Sequence, residues 1–486
     1  MKKLLTFLIS LFFFINIATL NNQHNWGDDF TAYIGQSRAI VDGRMADFAN
    51  ISNFRVASSE IQVGPNLYPW GYPLILTPFI GLFGINIAAL KFVNYLFFIG
   101  SLIVTYYLFK EKLKKQIVLL IILVMAASPY FFDFKQNVLS DIPAMFFLLL
   151  SVLLIQLVYL KKSAFKHRET YLILLSLSIF ISFFIRTSSF TIIPLLFLVQ
   201  MIEHKKWLKD FRDILLNSIP YLIFLAGYLI TSLIFPAGSY SANHTFFNSN
   251  FLKLAADNFY YYAVTLTEFF GNNASISGIF GAKTLLFFQT LYCASLLLFL
   301  TGVLKSWRKN YLYIVFFALN LGLFLVYQYT QGLRFIISLV PFYLFFVFAG
   351  IKSLNLRRLL KISFEKIIYA SGFLLVLFFA VQIYSTTRQG PPADGPYSQN
   401  SQELFEFIKN NTATAESVSF YKPRAMNLFT GRKSVYIGSA EFLNKIYSPD
   451  YYAYTKDTDM KSVEDYLNEN GKLIFQNDKF RLYDLR

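Results

Sequence analysis

Two carboxylates side by side, Asp28 and Asp29, open the polar stretch Asn25 to Arg44, NWGDDFTAYIGQSRAIVDGR, which follows an apolar N-terminal run. A carboxylate within hydrogen-bond reach of a hydroxyl can take its proton as the oxygen attacks an electrophile, which is general-base chemistry. Adjacent acids also serve as a solvated turn or as a helix cap, so the pair alone does not decide between these roles. It is expected to reach water. A helix over Asp29 to Ile40 would put Tyr33 one turn beyond Asp29 on a shared face. Arg38 and Arg44 lie in the same loop.

Further polar residues stand at the ends of apolar runs. Asp141, in NVLSDIPAMFF, precedes a Pro at a helix start, where a cap and a second site carboxylate both remain open. Arg186, in FFIRTSSF, and Arg334, in GLRFIISLVPF, could each snorkel to an interface or hold a phosphate with a planar guanidinium. In LYPWGYPLILTPF, Pro69, Gly71 and Pro73 turn the chain abruptly, and Tyr68, Trp70 and Tyr72 suit an aromatic interface anchor. His24 and His244 could join carboxylates around a divalent metal, although no ligand motif fixes their spacing, and no cofactor motif is present.

The elements that must position these groups follow from composition. The chain of 486 residues is 55% hydrophobic and only 15% charged, with a mean hydropathy of +0.47, more apolar than a soluble core can hide. Runs of about 20 apolar residues cross a bilayer as helices, because backbone polar groups find no partner in lipid. Eleven crossings are expected: Leu4 to Leu20, Asn86 to Phe109, Gln116 to Ala127, Ile142 to Leu160, Tyr171 to Ile185, Phe190 to Ile202, Ile214 to Phe235, Thr284 to Leu304, Tyr311 to Tyr327, Phe335 to Ile351 and Ile367 to Tyr384. The fold class is mainly α, a polytopic helix bundle over 1-384. A linker and a small α/β domain follow over 385-486.

Lys2, Lys3, KEKLKK, KKSAFKHRE, EHKKWLKDFR, KSWRKN and the stretch Lys352 to Lys366 together carry 22 Lys and Arg, against 8 in the longer opposite loops 21–85, 128–141, 186–189, 236–283 and 328–334. The positive-inside rule therefore puts the N-terminus inside, and an odd number of crossings sends the first loop and the tail outside together. The net charge of +16 thus reads as an orientation signal rather than a nucleic-acid footprint. The single cysteine, Cys293, excludes an internal disulfide. In the tail, Asn400 with Glu403 resembles a reciprocal helix cap, strands are expected at SVSFY, KSVYIG, KLIFQND and KFRLYDL, and helices at PRAMNLF and MKSVEDYLNEN. With no phosphate loop or nucleophile motif, its expected role is packing or acceptor contact.

Taken together these segments resemble the GT-C superfamily of membrane glycosyltransferases, in the branch of the protein O-mannosyltransferases and the lipid A aminoarabinose transferase. The matching residues are Asp28 and Asp29 with Tyr33, Ala39 and Gly43, the YPWGYP return, SDIP at Asp141, FIRTSS at Arg186, and GLRFIISLVPF at Arg334. The family often has Asp-Glu where this chain has Asp-Asp, and Arg-Tyr where it has Arg334-Phe335.

The resemblance implies transfer of a sugar from a polyprenyl-phosphate donor to an acceptor hydroxyl of a lipid, glycan or protein. It implies an active site on the extracytoplasmic side of the plasma (inner) membrane, and an inverting displacement with Asp28 as base and Asp29 orienting it. It implies substrate contacts at Tyr33, Arg38, Tyr68, Tyr72, Asp141, Arg186 and Arg334, with membrane lipid around the helices. A flippase of lipid-linked saccharides and a non-catalytic scaffold are the rival readings, both of which should tolerate Asn at 28 and 29.

Overall fold

A computed structural model describes residues 2–61, 64–161, 168–203, 211–238, 250–271, 278, 281–354, 364–390, 394–458 and 460–486. Apolar runs form helices throughout. In chain order the helices are α1 (Lys2–Ala18), α2 (Asp28–Val41), α3 (Met45–Ser58), α4 (Gly71–Phe83), α5 (Ile87–Phe109), α6 (Lys115–Ala126), α7 (Pro129–Phe134) and α8 (Asp141–Ile155), the last prolonged by a π-helical turn, Gln156–Leu160. They continue with α9 (Arg168–Ile185), α10 (Ile192–Glu203), α11 (Phe211–Ile234), α12 (Phe251–Thr265), α13 (Ala282–Ser306), α14 (Tyr311–Leu325), α15 (Val340–Ser353) and α16 (Phe364–Gln389).

All eleven expected crossings are helical. Among the described residues, six helices are long and apolar enough to cross a membrane; α1, α6, α10, α14 and α15 are apolar but shorter. Helix α8 is the most enclosed of the six, with 78% of its most apolar window buried, against 11% for α11 and for the Leu286–Ser306 part of α13. The central helix is thus the one that carries Asp141 at its start. Helices α13 and α15 touch backbone to backbone: a Cβ on Gly302 would collide with the Phe346 carbonyl, and one on Gly350 with the Leu298 carbonyl. Helix α4 is a twelfth apolar helix, entered through the YPWGYP turn. A Cβ on Gly71 would lie 2.5 Å from the Phe184 carbonyl, so the turn packs against the backbone just before Arg186.

The tail forms α17 (Gln399–Asn411), β1 (Ser417–Ser419), α18 (Pro423–Thr430), β2 (Lys433–Val435), α19 (Ala440–Lys445), β3 (Tyr451–Thr455), α20 (Lys461–Asn470), β4 (Lys472–Gln476) and β5 (Phe480–Asp484). The sheet order is β2-β1-β3-β5-β4, parallel over β2, β1 and β3 and antiparallel at β3/β5 and β5/β4. The loop between α1 and α4 joins both of the domain's cores. Trp26 packs with Phe405, Phe420 and Tyr421, and Phe54 joins the cluster of Val435, Leu443 and Tyr452. Polar contacts reinforce it: Gly438 and Ser439 N–H groups donate to Glu60 at 2.6 and 2.9 Å, and Trp26 Nε1 donates to Asp394 at 2.6 Å.

Three details differ from expectation. Helix α16 runs to Gln389, five residues past Tyr384, before the linker begins. Helix α17 starts after Ser398, whose side chain makes no cap bond, so Asn400 lies inside the helix, and Glu403 instead accepts from Gln399 and Asn477 side chains. Trp70 and Tyr72 are buried rather than lying in an interface belt, because Trp70 bonds the Pro236 carbonyl at 2.9 Å and stacks on Phe235 while Tyr72 bonds Asn94 at 2.7 Å.

A candidate active site between the first loop and the bundle

Helix α2 begins with the acidic pair, where carboxylates suit the positive end of a helix. Its residues Phe30 to Ser37 are all buried, because α4 lies on one side and α18 of the C-terminal domain on another. The pair therefore reaches water less than expected: the Asp28 side chain is 7% exposed and that of Asp29 22%. The covering residue, Arg424 from the first turn of α18, stands with Nε 3.6 Å from Asp28 and Nη1 3.5 Å from Asp29.

The two carboxylates have different surroundings. Asp29 accepts the Tyr68 hydroxyl at 2.5 Å and pairs with Arg334 at 2.9 Å. Neither Asp28 oxygen has a hydrogen-bond partner among the described residues, although both are buried. Burial raises the Asp28 carboxyl above its ordinary pKa despite the positive charges of Arg424, Lys422 and Arg55. Burial pushes Asp29 the same way, but Arg334, Arg424 and the Tyr68 hydroxyl outweigh it and hold its pKa below the ordinary value. Two adjacent acids whose environments drive their pKa values apart are suited to different tasks.

Tyr68 is held by reciprocal 2.9 Å bonds between its backbone and the Gln36 amide. Tyr33 lies against Tyr68 and Tyr72, with ring centroids 4.7 and 4.9 Å away, and its hydroxyl meets Ser140 at 2.8 Å. That bond ties α2 to the start of α8. There Asp141 makes no cap bond; its carboxylate instead pairs with Arg186 and accepts Arg334 Nε at 3.1 Å. The arginines do not snorkel, since each side chain is only 18% exposed. They line a small open cavity of about 20 Å³, room for about one water molecule, with Asp141, Ser189, Asn320 and Phe335. The Ser189 hydroxyl is buried there without a partner among the described residues.

The structure thus brings together Asp28, Asp29, Tyr33, Tyr68, Tyr72, Asp141, Arg186 and Arg334. It does not bring Arg38 to the site: nine residues beyond Asp29, it lies half a turn away around the helix, is 53% exposed and pairs with Asp42 at 3.6 Å. His24 stacks on Phe30 with centroids 3.7 Å apart, meets the Asn25 carbonyl through Nδ1 at 2.9 Å and accepts Val138 N–H through Nε2 at 3.2 Å. Burial lowers its pKa to about 4. No group of three or more His, Cys, Asp or Glu able to hold a metal ion occurs among the described residues, and His244 lies outside them.

Sequence reasoning missed Arg424 and Arg55. Both arginines are buried, and Arg55 Nη2 donates to the Asn66 carbonyl at 3.3 Å. The only trace of Arg424 was a basic residue inside the helix-like PRAMNLF.

No family model matches this chain, and no curated protein matches it by sequence. Solved structures do match it by shape. ArnT from Cupriavidus metallidurans bound to undecaprenyl phosphate superposes with a TM-score of 0.60 at 10% identity, covering 99% of this chain and 98% of ArnT. The apo oligosaccharyltransferase of Archaeoglobus fulgidus matches with a TM-score of 0.59 at 11% identity, over 93% of this chain and 69% of that one. The same organism's AglB, in complex with an inhibitory peptide and a dolichol-phosphate, gives a TM-score of 0.56 at 13% identity, with coverage of 93% and 69%. The fold is therefore of the GT-C type, as the sequence resemblance implied.

Proposed function

We propose that this protein is a membrane glycosyltransferase that moves a sugar from a polyprenyl-phosphate donor to an acceptor hydroxyl on the extracytoplasmic face. The observation that carries the reading is the position of Arg334, which joins the acidic pair to the cavity by pairing with Asp29 at 2.9 Å and with Asp141 at 3.1 Å. One guanidinium thus spans the place where a proton would be taken and the place where negative charge would gather.

The acceptor oxygen attacks the anomeric carbon and gives its proton to a carboxylate of the pair. The carbon–oxygen bond to the lipid phosphate breaks with inversion, and the phosphate leaves with the electron pair. A positioned base contributes a factor of about a hundred to ten thousand. Asp28 suits this role because its raised pKa lies closer to the working pH and no donor occupies its oxygens. The charge on the departing phosphate is met by Arg334 and Arg186, in a site where burial makes such pairing stronger than in water. That the structurally similar ArnT was solved with undecaprenyl phosphate, and AglB with a dolichol-phosphate, supports a lipid-phosphate donor.

A second assignment of the base has its own support: Asp29 is the more open of the two, at 22% against 7% side-chain exposure. Separate Asp28→Asn and Asp29→Asn variants decide between them. The reading itself is tested by incubating membranes containing the protein with a panel of radiolabelled polyprenyl-phosphate sugars. Label entering an acceptor only when the acidic pair is intact supports transfer. Label crossing the membrane on its original carrier, unaffected by Asn at both positions, would make the protein a flippase.

A further inference from the structure

The C-terminal domain carries no catalytic motif, yet its Arg424 is the residue that faces both acids. Its side chain is 2% exposed and is held through its two Nη atoms, while Nε faces Asp28 with no hydrogen-bond partner among the described residues. Nη2 donates to the Pro65 carbonyl at 2.6 Å, Nη1 donates to the Tyr68 hydroxyl at 3.4 Å, and the guanidinium lies over the Tyr68 ring at 5.2 Å. Gly64 completes the cradle: with φ +68° it adopts a backbone conformation that favours glycine, and a Cβ there would come within 2.6 Å of Nη2. The first loop is thus shaped around a side chain that belongs to another domain.

We infer that Arg424 is a positioning residue of the active site, delivered by docking of the C-terminal domain, and that it keeps the acidic pair ionised and aimed. The inference rests on the proposed role of the pair as general base; Arg424 acts chiefly on Asp28, because Asp29 is also held by Arg334 at 2.9 Å and by the Tyr68 hydroxyl. A buried carboxylate without hydrogen bonds is held in its charged form only by neighbouring positive charge. The charged groups facing Asp28 are Arg424 and Lys422 from the domain, Arg55 from α3, and Asp29 beside it. Arg424 is the only one of the three cations in ion-pair contact with Asp28 among the described residues. Docking of the domain and arming of the base are then one event, which confines turnover to the docked state.

The test compares wild type, Arg424→Gln, Arg424→Lys, Asp28→Asn and the double variant Asp28→Asn/Arg424→Gln as purified full-length proteins. Turnover is followed from pH 5 to 9 with whichever radiolabelled polyprenyl-phosphate sugar of that panel supports transfer. Arg424→Gln is expected to move the acidic limb of the kcat profile upward by about one to three pH units, the usual effect of an opposite charge on a carboxylate at this range. The KM for donor should change far less than kcat, and Arg424→Lys should restore part of the shift. A profile that only drops in height, with its limb unmoved, overturns the inference.

Thermal unfolding supplies a readout independent of catalysis. Arg424→Gln should melt lower than wild type, and removing the stranded carboxylate in the double variant should recover at least about half of the loss. Additive losses overturn the inference. The same comparison decides the matter should Arg424→Gln fail to fold, since recovery of folded protein in the double variant supports the pairing and its absence contradicts it. The two readings fail differently. If Asp28→Asn and Asp29→Asn both turn over normally while the stability coupling persists, the base assignment falls and Arg424 is left a structural clamp. Inactive Asn variants with no coupling and no limb shift remove Arg424 alone.

Discussion

Arg334 meets three demands at once: it holds Asp29, it holds Asp141, and it faces the cavity. Burial works against its charge, and Asp141 and Asp29 outweigh that and raise its pKa, so it stays cationic throughout the accessible pH range. Replacing it by Ala removes charge-assisted bonds worth about 1.5 to 3 kcal/mol each, so donor affinity should fall by at least about tenfold. Arg334→Lys keeps the charge but cannot bridge two carboxylates with a planar fork, and should recover only part. Equal donor binding in all three proteins, by titration with labelled donor, would leave Arg334 a purely structural tie.

Asp29 adds a pH dependence of known sign. Its folded pKa is depressed, so the stability it contributes is present above its ordinary value near 3.9 and is lost as pH falls through the folded value. Melting followed from pH 7 to 3 should show a steeper acid loss in wild type than in Asp29→Asn. Parallel curves would mean that its partners do not hold it. At this scale Asp141, Arg186 and Arg334 were legible as polar groups beside apolar runs and Asp28 and Asp29 as an adjacent acidic pair, Tyr33 by its spacing from Asp29, while Tyr68 entered the site only through the family resemblance. The sequence could not point to Arg424, which lies 356 residues beyond Tyr68 and reaches it only through the docking of two folded units.

Elements set that docking. Glu60, just past α3, accepts two backbone N–H groups of the loop after β2, a charge-assisted contact that Ala cannot replace. Glu60→Ala should cost about 1 to 3 kcal/mol of docking free energy, the penalty for leaving such donors unsatisfied. The linker around Gly395 should then be cut faster by protease while the membrane helices melt unchanged. Unchanged cleavage would show that Trp26 and Phe54 suffice to hold the domain. The apolar periods of α5, α8, α9 and α11 are long, and their ends were legible to within a few residues. Helices α3 and α12 and strand β3 were not, because MADFANISNFRVAS, FLKLAADNFYYYAVT and YYAYT carry mixed polarity whose burial is decided by the partner they meet. The aromatic run of YPWGYP misled for the same reason: composition suits an interface belt, but α9 and Pro236 enclose it.

For the whole molecule, the first loop, the cavity mouth and the C-terminal domain form one assembly, so they must share a side of the membrane. The charge bias of 22 against 8 predicts the outer side. In a Cys293→Ser background, a cysteine placed at exposed Asn50 or after Arg486 should react with an impermeant maleimide in intact cells, and one at Lys114 only after permeabilisation. The reverse pattern would put the site on the cytoplasmic face.

Whether the acidic pair takes the acceptor's proton is decided by donor binding and turnover measured together on purified wild type, Asp28→Asn, Asp29→Asn and the double variant, each first shown to be folded by its melting curve. The double variant and at least one single variant should lose a hundredfold or more in turnover, about 3 kcal/mol of barrier, while donor affinity stays within a few fold. Near-normal turnover in the folded double variant would contradict that role for the pair.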